Sequence, residues 1–184
     1  MLTIDDMLSQ VAKITGAVPT KSPEVKKTEP PKADVHIKEI NGLSAKPVLS
    51  LSLAKEIIYC IEKGAEKHGL NVVITVVNDG GRMIAFEAMD NSYLASVKAS
   101  QDKAYTASAL KMPTEEALKE SRGGAFDGLT NGDGILMLGG GCPLYAGDYI
   151  VGAVGVSGGT KEQDIMLARL GAKFLEARIN SMSQ

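Results

Sequence analysis

Gly152-Ala153-Val154-Gly155-Val156-Ser157-Gly158-Gly159-Thr160-Lys161-Glu162-Gln163-Asp164 runs from an apolar strand, through a glycine turn, into a helix. Ile150 to Val156 is apolar or glycine throughout, the pattern of a central strand covered on both faces. Ser157-Gly158-Gly159 lets the backbone bend where a side chain would clash. Thr160 with Gln163 three residues later has capping-box spacing. The free N–H groups of such a helix start favour an anion. Two readings fit the turn equally, a plain strand-to-helix joint and a ligand-binding loop. It is neither a P-loop nor a dinucleotide fingerprint, because the required Gly and Lys-Ser/Thr spacings are missing.

Outward from this stretch, the chain repeats the same vocabulary. Val72, Val73, Ile74, Val76 and Val77 lead into Asp79-Gly80-Gly81, a hairpin turn, and Arg82 to Met89 returns. Ile135 to Leu138 reads as a further strand. Gly139-Gly140-Gly141-Cys142-Pro143 is a second turn that exposes backbone. Leu144-Tyr145 and Tyr149 to Val156 flank Ala146-Gly147-Asp148 as another hairpin. Helices are expected from Ser52, as cap, to about His68, over 92–110, from a Thr114 cap to about Ser121, and from Thr160 to about Ala177. The helix at 92–110 is crowded with Ala and Ser, which suits close approach to a sheet or another subunit. Strands joined by short turns imply an antiparallel sheet of about five strands with helices on its faces, an α+β domain over 48–184. Arg122 to Gly134 reads as a loop covering it.

The first 47 residues differ in kind. Ile4, Met7, Leu8, Val11 and Ile14 recur at helical spacing over 1–16, with Asp5 and Asp6 in the first turn and Lys13 in the last. Residues 17–47 hold five of the seven prolines, among lysines and glutamates, and read as a solvated linker. Val35 to Ile40 has the composition of a short edge strand. A stripe separated from the domain by such a linker suits docking to a partner.

Composition narrows the function classes. The 184 residues carry a net charge of -2, no Trp and 4% aromatics, which is not the footprint of a nucleic-acid binder. No apolar run approaches the roughly 20 residues of a membrane span. Nothing resembles a secretory signal, so a cytoplasmic protein is expected. Of the two cysteines, Cys60 falls on the apolar face of a helix. Cys142 lies in a glycine loop, where either a packed or an exposed, redox-active thiol fits. No metal-ligand spacing is present. No nucleophile–base pair or His–carboxylate motif identifies catalytic residues.

Several ordered blocks carry a resemblance: Val76-Val77-Asn78-Asp79-Gly80-Gly81, Asp102-Lys103-Ala104-Tyr105-Thr106-Ala107, Met112-Pro113-Thr114, Gly139-Gly140-Gly141-Cys142-Pro143, and Gly155-Val156-Ser157-Gly158-Gly159 with Glu162-Gln163-Asp164. Over about residues 48–178 the chain resembles the GlcG/HbpS-like family, which includes the C-terminal domain of PduO. The resemblance implies a profilin-like fold and homo-oligomers built from dimers. It also implies haem or a related cofactor as a ligand. The adenosyltransferase domain of PduO has no counterpart here. The candidate cofactor-binding residues are His68, Asp79, Lys103, Thr106, Gly140, Gly141, Ser157, Gly158, Gly159 and Gln163. Iron-ligating types are His36 and His68, with Met89, Met112 and Tyr105. The N-terminal stripe and linker are similar to the encapsulation peptides of bacterial microcompartment cargo. That implies shell or co-cargo proteins as partners and a place inside a microcompartment. Three functions stay open: a haem- or cofactor-binding accessory protein, a non-catalytic oligomeric scaffold, and an enzyme using Lys103 on a small carboxylate or aldehyde.

Overall fold

The structure, a computed structural model, describes residues 39–40, 43–44, 46–129 and 132–182. The stripe at 1–16 and most of the linker lie outside them. In chain order the elements are β1 (Glu39–Ile40), β2 (Leu43–Ser44), α1 (Leu51–Lys67), β3 (Val73–Asn78), β4 (Met83–Ala88), α2 (Leu94–Leu110), α3 (Thr114–Glu120), β5 (Gly141–Ala146), β6 (Tyr149–Ser157) and α4 (Lys161–Met182). β3 to β6 form one antiparallel sheet in the order β4-β3-β6-β5.

The 152–156 stretch is central because β6 pairs on both sides. Val156 lies opposite Ile74 on β3, and Val154 opposite Cys142 on β5. Its side chains alternate between two layers. Val154 and Val156 join Ile57, Ile58, Ile61, Ile74, Val76, Leu167 and Phe174 in the main core, under α1 and α4. Ala153 points the other way and joins Val77, Ala104 and Ala107 beneath α2. α2 lies over β3, β6 and β5. Its small residues let it do so: a Cβ on Gly155 would run into the Ser100 carbonyl and the Ala104 amide. The buried Thr75 and Ser100 hydroxyls bond at 2.9 Å and fix the register between α2 and β3. α1 and α4 are joined at their far ends by Arg178 Nε donating to Glu56 at 3.1 Å.

The sheet has four strands rather than about five, for two reasons. Residues 135–138 form no ladder, because side chains take their backbone groups: Leu136 N–H donates to Thr106 Oγ1 at 2.8 Å, and Leu138 O accepts from Thr114 Oγ1 at 2.6 Å. The strand expected within 35–40 appears as Glu39–Ile40, paired with Leu43–Ser44 in its own ladder and not at the sheet edge. Two caps also shift. Ser50, not Ser52, caps α1, its Oγ accepting from Leu53 N–H at 3.2 Å. Pro113, not Thr114, precedes α3, since the Thr114 hydroxyl serves Leu138 and Gly141.

One carboxyl couples α1 to the edge strand β4. Burial, and then the neighbouring Glu87 carboxylate, pushes the Glu62 carboxyl from 4.5 up to about 7; Glu66 adds to this and Lys63 opposes it. A raised carboxyl means that the folded state holds the proton more tightly than the unfolded chain. Its stabilising contribution is therefore full below about pH 4.5 and lost as the pH rises through about 7. Glu62→Gln should flatten that part of the stability profile. Urea melts of both proteins at pH 4.5 and pH 8 check it: the variant gains on wild type only at pH 8. An equal difference at both pH values would refute the assignment.

Candidate functional site

The glycine turns at 139–141 and 157–159 meet, as their strands pair. Gly141 lies opposite Gly155, and Gly140 O accepts Val156 N–H at 2.8 Å. Lys103 comes down from α2 between them. Its ammonium is wholly buried and donates to Asp164 Oδ2 at 2.7 Å and to Val156 O at 2.9 Å. Gly140 has φ +115, and a Cβ there would lie 2.6 Å from Val156 O and 3.1 Å from Lys103 Nζ. Burial pulls Lys103 below the ordinary lysine value, and its bond to Asp164 opposes this. Burial raises Asp164, opposed by Lys103 and by the Gly159 and Gly158 amides.

Several of the N–H groups expected to face an anion are satisfied from within. Gly159 N–H donates to Asp164 Oδ1 at 2.9 Å, and Thr160 N–H to Gln163 Oε1 at 2.8 Å. The capping box forms as expected, with Gln163 N–H returning to Thr160 Oγ1 at 3.3 Å. Lys103, Gly140, Gly141, Gly158, Gly159 and Gln163 therefore gather at one place, and Ser157, buried at the end of β6, leads into it. That place is a closed joint tying α2, β6 and α4 together. An amine held this way offers no open Nζ for an imine or a substrate carboxylate.

The remaining sequence candidates lie elsewhere. His68 is exposed at the C-cap of α1. Asp79, in the β3–β4 turn, pairs with Lys46. The turn itself is shaped by Asn78, whose Oδ1 accepts from Gly80 and Arg82 N–H at 3.0 and 2.9 Å. Thr106 Oγ1 serves Leu136 and Gly134. Cys142 is 8% exposed, and burial pushes its thiol up to about 12. Cys60 is pushed up to about 12 in the same way. Neither is a thiolate at neutral pH, so the exposed, redox-active reading of Cys142 gives way to the packed one.

An open groove of about 490 Å³ runs along the β4 side of α2. Thr75, Val77, Gly81 and Met83 line it from the hairpin, and Lys98, Gln101, Asp102 and Tyr105 from α2. Asp133 and Gly134 line it from the covering loop. A register shift between Val76 and Val77 sets Val77 opposite Met83, and both line the groove. Bulges of this kind re-aim side chains. Lys98 and Asp102 form an ion pair on its wall. None of the sequence candidates for cofactor binding lines the groove. Tyr105, singled out only as an iron-ligating type, does.

A family model described as haem-degrading protein HbpS-like matches residues 49–173. The chain belongs to this HbpS-like family. An uncharacterised 15.0 kDa protein from the dhaT–dhaS intergenic region of Citrobacter freundii is 39% identical over 123 residues, 65% of this chain and 87% of that protein. The solved structure of Klebsiella pneumoniae protein ORFY superposes with a TM-score of 0.70 at 34% identity, covering 76% of this chain and 99% of that one. A PduOC:haem complex superposes with a TM-score of 0.66 at 27% identity, covering 70% and 95%. The HbpS-like domain thus holds the whole four-stranded sheet, both glycine turns and both walls of the groove. Among its described residues, no helix is long and apolar enough to cross a membrane.

Proposed function

We propose that this HbpS-like domain is an accessory protein that binds haem, or a closely related macrocycle, in the groove between α2 and the β3–β4 hairpin. One observation carries the reading: this groove is an open concavity between α2 and the β3–β4 hairpin, and its walls suit such a ligand. Its volume of about 490 Å³ falls within the roughly 300–1,000 Å³ typical of small-molecule sites. Val77, Met83 and the Tyr105 ring offer apolar surface. Met83 and Tyr105 are iron-ligating side-chain types. Bound haem would supply a redox-active iron, while the chain supplies the walls and excludes water from one face. A haem-bound structure at 27% identity supports the same ligand class.

A visible-absorbance titration with haemin tests this. Wild type should give a saturable Soret shift. Gln101→Trp, which fills the groove from α2, should weaken binding about tenfold or more. His68→Ala should leave it unchanged, since α1 packs against the other face of the sheet. Loss of the shift in His68→Ala with no effect of Gln101→Trp would move the site out of the groove.

Residues 1–16 complete the proposal. Their stripe and the Pro-rich linker support docking to shell or co-cargo proteins of a bacterial microcompartment. The domain would act there as a homo-oligomer built from dimers. Removing residues 1–16 should leave the melting temperature and oligomer size unchanged and abolish co-sedimentation with shells. Unfolding of the truncated protein would instead make the stripe part of the domain core.

The scaffold reading keeps one supporting feature. Tyr93 and Leu94, at the start of α2, are 71% and 87% exposed, apolar surface that a second subunit could cover. Stable oligomers that show no haemin shift would favour it.

A further inference from the structure

We infer that Tyr105 is the side chain that ligates the iron when ferric haem occupies the groove, a step that rests on the haem-binding reading above. Three observations single it out from the other lining residues. First, its ring is held in place. Gly81 lies along one ring edge, where a Cβ would sit 2.8 Å from Cδ2 and 3.1 Å from Cε2. Gly134 lies along the opposite edge, where a Cβ would sit 3.5 Å from Cδ1 and 3.6 Å from Cε1. Both glycines adopt left-handed backbone, with φ +75 and +72, which a side chain disfavours. The hairpin turn and the covering loop thus grip the ring between them. Thr106, the next residue on α2, fixes that loop by accepting Leu136 N–H at 2.8 Å.

Second, the phenol oxygen is free. It makes no hydrogen bond among the described residues, and the side chain is 41% exposed at the groove. Tyr145 shows the contrast, since its hydroxyl donates to Lys111 O at 3.1 Å. Third, the rivals are less suited. Asp102 is held by Lys98, and Asp133 is exposed on the covering loop. Met83 offers a thioether, a softer donor than ferric iron prefers. Among the described residues, no histidine lines the groove.

Ligation forms a bond between the phenolate oxygen and ferric iron. The phenol proton would pass to solvent, a water ligand of free ferric haem would leave, and no electron would move. A metal-free ring cannot make that bond, so the contribution of the oxygen is separable from that of the aromatic surface.

The test compares wild type with Tyr105→Phe, titrated with ferric haemin and with metal-free protoporphyrin IX. Visible absorbance and resonance Raman are read together. Wild type should show a phenolate-to-iron charge-transfer band and phenolate ring modes, and Tyr105→Phe should lose both. The variant should bind haemin about tenfold more weakly and protoporphyrin as wild type does. Saturable haemin binding with an unchanged spectrum in Tyr105→Phe would overturn this inference and leave the groove reading standing. Equal weakening of both ligands would also overturn it, by showing that the ring stacks and the oxygen does not ligate. Wild type that binds neither ligand saturably would overturn the haem-binding reading itself.

Discussion

Asp164→Ala should cost about 3–5 kcal/mol of folding stability at neutral pH, because it strands a buried ammonium. Lys103 is 0% exposed and Asp164 5% exposed, so water cannot replace the lost partner. The carboxylate does two jobs at once. Oδ2 receives Lys103 at 2.7 Å, and Oδ1 receives Gly159 N–H at 2.9 Å. Lys103→Met should cost less, since it removes the charge and keeps most of the apolar stem. The double variant Lys103→Met/Asp164→Leu should recover much of the Asp164→Ala loss, because neither charge is then buried alone. Urea midpoints of the three proteins decide the matter. Equal destabilisation by Asp164→Ala and by the double variant would mean that the carboxylate acts mainly as a backbone cap.

Gly155→Val should be comparably severe, costing about 3 kcal/mol or more, at the upper end of overpacking effects. The cause is backbone and not a movable side chain. Any Cβ at 155 runs into the Ser100 carbonyl, and also lies 2.6 Å from the Ala104 amide. α2 would have to lift away from β6. Lys98, Gln101, Asp102 and Tyr105 ride on that helix, so the groove should lose its shape along with stability. Thermal melting with haemin titration reads both effects. A stable variant with wild-type haemin affinity would show that α2 is free to shift without disturbing the groove.

Both hairpins were legible in the sequence because their strands alternate or run apolar up to Asp79-Gly80-Gly81 and Ala146-Gly147-Asp148. The capping box at Thr160 was legible because it is local. The meeting of the two glycine turns follows from the pairing of β5 with β6. What lies inside that meeting was not legible. Whether backbone amides face a ligand or an internal carboxylate depends on Asp164, whose other oxygen is held by Lys103 from α2, 61 residues away in sequence. The apolar run at 135–138 looked like a strand because periodicity does not see Thr106 and Thr114, whose hydroxyls take its backbone groups. The groove was least legible. Thr75, Met83, Gln101 and Tyr105 form no motif, and only the antiparallel return of β4 and the lie of α2 bring them together. Tyr105 carried the one usable sign, as an iron-ligating residue type inside a block that resembles the family.

Methionine-methyl NMR during addition of ferric haemin tests the groove most directly, since paramagnetic iron broadens nearby signals and the method tolerates large oligomers. Met83 lines the groove, whereas Met89 and Met166 pack against the core beneath α1 and α4. Haem bound in the groove predicts selective loss of the Met83 signal at stoichiometric haemin, with Met89 and Met166 unaffected. Broadening of Met89 or Met166 with Met83 intact would place the ligand on the other face of the sheet and contradict the account.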